Sequence, residues 1–104
     1  MESKEHNAIE SSGLSVLAEA EKLINGDRLE AYNHPYYDYQ KTVRAFNALT
    51  GHKLSITDGI MFMVCVKLSR EMYKHKRDNL VDAIGYIGCL EKVLDKINKG
   101  DANG

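Results

Sequence analysis

The sequence predicts an all-α fold, a compact four-helix domain with short loops. Apolar residues recur at steps of three and four along four segments, as they do on one face of a helix. Strand-like alternation, internal repeats and low-complexity tracts are absent from the sequence. A chain of 104 residues with 43% hydrophobic and 28% charged residues suffices for one domain with one modest core.

The two ends differ from the middle of the chain. Residues 1–12 are polar and lack periodicity, so we expect a flexible N-terminal arm, and we expect residues 99–104 to form a flexible tail. The single helical domain is predicted to span residues 13–98. The net charge of −1 argues against general affinity for nucleic acid or for a membrane. The first residues lack the apolar run of a signal peptide, so we expect a cytoplasmic protein.

The first two helices are predicted from their apolar patterns and from the residues that end them. The first is expected at residues 14–25, with Gly26 as a left-handed C-cap. The second is expected at residues 36–50, where Pro35 suits the first helical position and Gly51 follows the last apolar residue.

The third helix is predicted at residues 57–74, with Thr57 as N-cap and Asp58 in the first turn. Residues 60–66 are apolar on all sides of the helix. Such a helix is either central in its own bundle or shared with a second subunit. In a domain this small, we expect the protein to oligomerise through this helix.

The fourth helix is predicted at residues 79–98. Gly85 and Gly88 have no side chains and would let another helix or a ligand approach the backbone closely. Cys65 and Cys89 lie in helical patterns without metal-ligand spacing, so both are expected to be reduced and buried. The predicted core face consists of Leu80, Ala83, Ile84, Ile87, Leu90, Leu94 and Ile97.

Two acids form the first candidate for chemistry. Asp78 and Asp82 are four residues apart, so their carboxylates share one helix face and can hold Mg²⁺, with Glu71 as a further ligand. The structural alternative is that Asp78 interacts with the positive helix end and that Asp82 forms a salt bridge with Lys67 or Arg70.

Basic and aromatic residues form two further candidates. Lys67, Arg70 and Lys74 stack on one stripe, which suits phosphate recognition, although a solvated helix face is the commoner role of such a stripe. Between residues 32 and 39 lie four tyrosines, of which Tyr36 and Tyr39 have the spacing of core residues. The remaining pair, Tyr32 and Tyr37, are candidates for contacts with a ligand or an interface. Motifs for nucleophilic catalysis, phosphate loops and zinc are absent.

These residues resemble the pattern of a group of small phage-encoded helical proteins classed as a domain of unknown function. The pattern runs R-x-x-x-Y-G, K-x-x-R and D-N-x-x-D-x-x-G-Y, and the resemblance covers about residues 20–95. Asn33 stands where glycine is usual. If phage-encoded, the protein acts in the host bacterial cytoplasm. The matching residues are Arg28, Tyr32, Lys67, Arg70, Asp78, Asn79, Asp82, Gly85 and Tyr86.

Two further likenesses concern activity. The chain is distantly similar to MazG-like all-α nucleoside triphosphate pyrophosphatases, which hold Mg²⁺ with E-E-x-x-E and E-x-x-D motifs, but it lacks both motifs. It also resembles in kind, without aligned residues, the phage "sponge" proteins that sequester nucleotide signals of bacterial immunity. The shortage of acids favours binding over metal-dependent hydrolysis.

We therefore predict a non-catalytic protein that binds a nucleotide-like, phosphate-bearing small molecule, in the manner of a phage anti-defence protein that sequesters a host immune signal. No cofactor, nucleic acid or membrane is expected, and the other partner is a second copy of the chain. Two alternatives stay open: a Mg²⁺-dependent pyrophosphohydrolase that uses Asp78, Asp82 and Glu71, and an interaction protein without a small ligand. The predicted ligand-binding residues are Arg28, Tyr32, Lys67, Arg70, Asp78, Asn79, Asp82 and Tyr86.

Overall fold

The computed structural model describes residues 13–100, and the predicted arm and most of the predicted tail lie outside this range. The described residues confirm the all-α, four-helix prediction and add one short helix between the first two. Lys99 and Gly100 form a turn after the last helix. The helices are α1 (Val16–Asn25), α2 (Asp27–Tyr32), α3 (Pro35–Thr50), α4 (Ile56–Tyr73) and α5 (Arg77–Asn98).

Local chemistry explains most of the helix ends. Pro35 occupies the first turn of α3, and Gly51 ends that helix with a φ of 78°, both as predicted. Ser55, rather than the predicted Thr57, is the N-cap of α4. Its hydroxyl accepts a hydrogen bond from Asp58 N, and the Asp58 carboxylate accepts one from Ser55 N. This reciprocal capping box satisfies two backbone donors, which a cap two residues later would leave unpaired.

Gly26 also differs from its predicted role. Its φ is −120°, so it is not a left-handed cap. The chain does not leave the helix into a loop at this point, because α2 begins at the next residue. Gly26 is therefore a bend between two consecutive helices.

The helix that organises the fold is α5, because it contacts α1, α3 and α4. Val93 of α5 packs with Tyr39 of α3 and Ile60 of α4 in the centre of the core. The predicted core face of α5 was partly wrong, since Ile87 and Leu94 are 51% and 43% exposed. Ala83 is buried as predicted, and Leu90 and Ile97 pack against the core. Neighbours on three sides also bury four positions outside the predicted face, which are Asn79, Val81, Cys89 and Val93.

Helix α1 lies against the two glycines of α5. A Cβ atom built on Gly88 would lie 2.5 Å from Ile24 Cδ1, and one built on Gly85 would lie 3.7 Å from Ile24 Cγ2. The predicted close approach of another helix is thus present. At the other end of α1, the carboxylate of Glu19, which is 1% exposed, forms an ion pair with Arg77 at the start of α5.

Helix α4 is buried on one side only. Ile60 and Val64 are buried, but Cys65 is exposed, contrary to prediction, while Cys89 is buried as predicted. Burial raises the pKa of the Cys89 thiol, although the nearby charge of Arg28 opposes this shift. Among residues 13–100, the structure contains no helix with the length and apolar character required to cross a membrane.

Candidate functional site

The predicted site residues line two cavities that share Asp82. The first cavity has a volume of about 310 Å³ and lies between α1, α2 and α5. The second has a volume of about 540 Å³ and lies at the corner where α4 turns into α5. The first is lined by Leu23, Ile24, Asp27, Arg28, Ala31, Tyr32, Val81, Asp82, Gly85, Tyr86 and Cys89. The second is lined by Lys67, Ser69, Arg70, Tyr73, Lys74, Lys76, Asp78, Asn79 and Asp82.

The first cavity is built around Arg28. The Arg28 guanidinium donates a hydrogen bond to the Asp38 carboxylate at an Nη2–Oδ2 distance of 2.6 Å. Its Cζ atom lies 5.0 Å from the ring centroid of Tyr32, 5.3 Å from that of Tyr39 and 6.0 Å from that of Tyr86. These distances are within the range of cation–π contacts. One ion pair and three aromatic rings therefore fix the position of this guanidinium.

Arg28 keeps one polar atom without a partner among the described residues. Its Nε is buried and forms no hydrogen bond. Burial lowers the pKa of Arg28, but interactions with the surrounding acidic groups, of which the Asp38 carboxylate is ionised, raise it and prevail, so the guanidinium stays charged. A buried N–H group without an acceptor costs free energy.

Helix α2 positions Arg28 and Tyr32 over the first cavity. The helix ends at Asn33, which has a φ of 69°. Glycine adopts positive φ at no steric cost, and asparagine tolerates it better than most residues. This backbone conformation accounts for the place where the sequence has asparagine and the resembling phage proteins usually have glycine.

The second cavity is predominantly basic. Lys67, Arg70, Lys74 and Lys76 line it, and the side chain of Arg70 is exposed. The Lys67 Nζ atom lies 3.1 Å from Asp82 Oδ2. This ion pair is the structural alternative considered for Asp82, and it also holds Lys67 at the boundary with the first cavity.

Glu71 and Asn79 hold the corner below the second cavity together. Asn79 is 6% exposed, and its Nδ2 donates hydrogen bonds to Glu71 Oε1 at 3.1 Å and to Lys74 O at 3.5 Å. Glu71 also accepts a hydrogen bond from Lys76 N at 3.1 Å and contacts His75 Nδ1. The hydrogen bond from His75 is the main cause of a lowered pKa for the Glu71 carboxyl. Asn79 thus shapes the cavity while its amide group is engaged in the fold.

The acids do not gather into a metal centre in the part of the chain that the structure describes. Within residues 13–100, no group of three or more His, Cys, Asp or Glu side chains is arranged to hold a metal ion. Glu71 points its oxygens at the corner rather than joining Asp78 and Asp82.

All eight predicted ligand-binding residues line one or the other cavity. Arg28, Tyr32 and Tyr86 line the first, Lys67, Arg70, Asp78 and Asn79 the second, and Asp82 both.

Sequence reasoning did not assign Asp38 and Tyr39 to Arg28, and it did not assign Lys76 and Tyr73 to the basic cavity. The charged run 74–78 was a signal for Lys76. Tyr39 was assigned to the core by its spacing, and its 6% exposure confirms that assignment. Its second role, as a ring beneath Arg28, depends on the unpredicted helix α2.

Comparison with known proteins shows the family to which the chain belongs. Residues 15–94 match the family described as "Domain of unknown function (DUF6378)". The chain is 30% identical over 88 residues to the Gene 55 protein of Mycobacterium phage D29, covering 84% of this chain and 58% of that protein. It is 30% identical over 82 residues to the Gene 55 protein of Mycobacterium phage L5, covering 77% of this chain and 53% of that protein.

The chain therefore spans little more than half the length of these two relatives. No solved structure matches. The family match and these two relatives confirm the resemblance to small phage proteins of unknown function, and they do not extend to MazG-like pyrophosphatases. The eight predicted site residues all lie within the matched range. The chain belongs to the DUF6378 family, and it is similar to proteins encoded by mycobacteriophages.

Proposed function

We propose that the protein binds a nucleotide-like small molecule that carries phosphate groups. One observation supports this above the others: an apolar cavity with a fixed guanidinium and tyrosine rings shares a wall residue, Asp82, with a basic cavity. A nucleotide likewise has two chemically different parts. Its flat and largely apolar base would suit the apolar cavity, and its anionic phosphates would suit the basic cavity.

The phosphates would occupy the second cavity. Four cationic side chains line it, from the end of α4 and the turn that follows. Arginine can bind a phosphate through two parallel hydrogen bonds, and lysine contributes a compact positive charge. Arg70 is exposed and is therefore available to a ligand without breaking any contact of the core.

The base and sugar would occupy the first cavity. Its volume of about 310 Å³ falls at the small end of small-molecule sites. Tyr32 is 57% exposed and can stack on a planar ring, and Tyr86 also lines the cavity. The Asp82 carboxylate can accept a hydrogen bond from a ribose hydroxyl or a base amine.

Binding of this kind needs no metal or other cofactor, because protein cations meet the phosphates directly. The phage relatives suggest a biological role in the cytoplasm of an infected bacterium. There the protein would sequester a nucleotide signal of host immunity and prevent it from reaching its receptor.

The experiment is a binding screen with recovery of the ligand. The purified protein is incubated with mononucleotides, cyclic dinucleotides and cyclic ADP-ribose isomers, with and without Mg²⁺, and binding is measured by thermal shift and calorimetry. The protein is then denatured, and the released compound is identified by mass spectrometry. We expect an intact ligand whose binding does not require Mg²⁺. Recovery of a cleaved product only in the presence of Mg²⁺ would instead show a hydrolase.

Arg70→Ala and Arg44→Ala form a matched pair for the same assay. Both arginines are exposed helical residues, but only Arg70 lines the basic cavity. We expect Arg70→Ala to weaken binding at least tenfold, which corresponds to loss of one charged hydrogen bond of about 1.4 kcal/mol or more, and Arg44→Ala to leave it unchanged. Equal effects of the two substitutions, or no binding by any compound in the screen, would refute the proposal.

A further inference from the structure

We propose that the candidate site selects ribonucleotides over 2′-deoxyribonucleotides, and that the Asp82 carboxylate makes this selection by accepting a hydrogen bond from the ribose 2′-hydroxyl. This selection rests on the proposed function, in which the base occupies the first cavity and the phosphates occupy the second. The position, the charge and the hydrogen-bonding state of Asp82 each support it.

Asp82 lies where the sugar of such a ligand would pass, because its side chain lines both cavities. In a nucleotide, the sugar is the only link between the base and the phosphates. A ligand with its base in the first cavity and its phosphates in the second therefore places its sugar beside Asp82.

The negative charge of Asp82 distinguishes the sugar from the phosphates. A carboxylate repels phosphate groups, so the anionic end of the ligand would lie away from it. The cations Arg70, Lys74 and Lys76 line the second cavity and not the first, and they would draw the phosphates in that direction. The part of the ligand beside Asp82 is then uncharged, and an ionised carboxylate, which only accepts hydrogen bonds, favours a donor there.

Asp82 has one carboxylate oxygen available for such a donor. Its Oδ2 atom lies 3.1 Å from Lys67 Nζ, whereas its Oδ1 atom forms no hydrogen bond within the described part of the chain. The side chain is 29% exposed, so the carboxylate is in contact with solvent before a ligand binds. A sugar beside it would displace water. A 2′-hydroxyl replaces the lost hydrogen bond, but a deoxyribose leaves the acceptor unpaired, which costs free energy.

A base amine is the other uncharged donor of a nucleotide, and its place in the ligand is less suitable. The exocyclic amine of adenine or cytosine lies on the edge of the base remote from the sugar. A base that enters the first cavity therefore points this amine away from the boundary with the second cavity. The geometry of the ligand favours the sugar hydroxyl as the partner of Asp82.

The first test compares matched ligands on the unmodified protein. Calorimetry measures the dissociation constants of ADP, GDP, CDP, UDP and 3′,5′-cyclic diadenylate, each beside its 2′-deoxy counterpart. We expect the deoxy form of each compound that binds to be about tenfold weaker, because it lacks one hydrogen bond to a charged group. Equal affinities would overturn the inference and leave the proposed function standing. If none of these ribose compounds binds, the inference falls, and the wider screen described above decides the proposed function.

The second test asks whether Asp82 causes the preference. The dissociation constant of the deoxy form is divided by that of the ribose form in each variant, so a general effect of charge cancels. We expect Asp82→Ala to bring this ratio close to one. The matched control is Asp95→Ala, because Asp95 also lies 3.1 Å from a lysine, Lys99, but lines neither cavity. It should leave the ratio unchanged.

A ratio that Asp82→Ala leaves unchanged, or that both substitutions lower, would overturn the inference. If Asp82→Ala does not fold, Asp82→Asn takes its place. The ratio should then fall by about threefold, since a hydrogen bond to a neutral amide is weaker than one to a carboxylate.

A third comparison tests the base amine. Inosine diphosphate has a carbonyl oxygen where ADP has its amine. We expect Asp82→Ala to change the affinities for these two compounds by the same factor. A preference for ADP that depends on Asp82 would overturn the inference, since it would show that the carboxylate accepts from the base.

Discussion

Lys67 and Asp82 form an ion pair, with 3.1 Å between Nζ and Oδ2, at the boundary between the two cavities of the candidate site. Both side chains are partly exposed, so the pair itself contributes no more than about 1 kcal/mol to the free energy of unfolding. Its larger effect is electrostatic, because the carboxylate neutralises one of the cations that face the basic cavity.

Asp82→Asn should therefore change phosphate binding in the basic cavity. Removal of one negative charge near the basic cavity should tighten binding of inorganic pyrophosphate by about three- to tenfold at low salt. The fold should survive, since the amide can still accept a hydrogen bond from Lys67. Calorimetry with pyrophosphate checks this expectation. The control is Asp95→Asn, which removes the same charge from an exposed pair with Lys99. Equal gains for both variants would mean that only the overall charge matters.

The contact between α1 and α5 predicts different effects of two glycine substitutions. Gly85→Ala and Gly88→Ala gain the same helix propensity, about 1 kcal/mol each. Only the new methyl group at Gly88 would overlap with the Ile24 side chain, at 2.5 Å from Cδ1. Because only the terminal methyl of Ile24 has to move, we expect Gly88→Ala to be about 0.5–1.5 kcal/mol less stable than Gly85→Ala in urea unfolding. Equal stability of the two variants would show that the Ile24 side chain relaxes without cost.

The N-cap of α4 gives a third prediction. Ser55→Ala removes the hydroxyl that accepts from Asp58 N, and it should lower the free energy of unfolding by about 1 kcal/mol. Thr57→Ala should cost less than about 0.5 kcal/mol, because Thr57 lies inside the first turn and caps no backbone group. Chemical unfolding of both variants checks the order, and a larger loss for Thr57→Ala would place the cap at the position predicted from the sequence.

The corner between α4 and α5 should make stability depend on pH through Glu71. Its pKa is lowered in the folded protein, mainly by the hydrogen bond with His75, so the folded state favours the ionised carboxylate. The resulting stabilisation is fully present above the ordinary pKa of 4.5 and is lost as the pH falls through the lowered value. Glu71→Gln should therefore lower the melting temperature at pH 7, and the difference from the unmodified protein should shrink toward pH 3.

Glu21→Gln is the control for this measurement, since Glu21 is exposed on α1 and takes no part in the corner. Its melting temperature should follow that of the unmodified protein at every pH. A difference for Glu71→Gln that stays constant between pH 7 and pH 3 would mean that Glu71 acts through packing rather than charge.

The sequence predicted the all-α class, four helices and most of their limits, because proline, glycine and apolar spacing act locally. Pro35 begins α3 and Gly51 ends it, as predicted, for this reason. The inward face of α5 was harder to predict. The apolar spacing along the helix favoured Ile87 and Leu94, but the three helices packed around α5 leave these two residues exposed and bury Val81 instead.

In the candidate site, too, features set by local sequence could be predicted, whereas contacts between helices could not. Residues matched through short motifs line the two cavities, although their role in binding remains a prediction. The pairing of Arg28 with Asp38 could not be predicted, since it depends on the bend at Gly26 and on the extra helix α2. The apolar wall formed by Leu23 and Ile24 likewise arises only when α1 folds onto α5.

Packing of Ile24 and the Glu19–Arg77 ion pair hold α1 against α5. Residues of α1 form one wall of the first cavity. Detachment of α1 would therefore remove the cavity while α3, α4 and α5 could stay folded. A ligand in the first cavity would bind only the attached state, so it would lower the population of the detached state by a factor of one plus its concentration over its dissociation constant. Amide hydrogen exchange in residues 16–25 should then report occupancy of the cavity, even for a compound that leaves the rest of the protein unchanged.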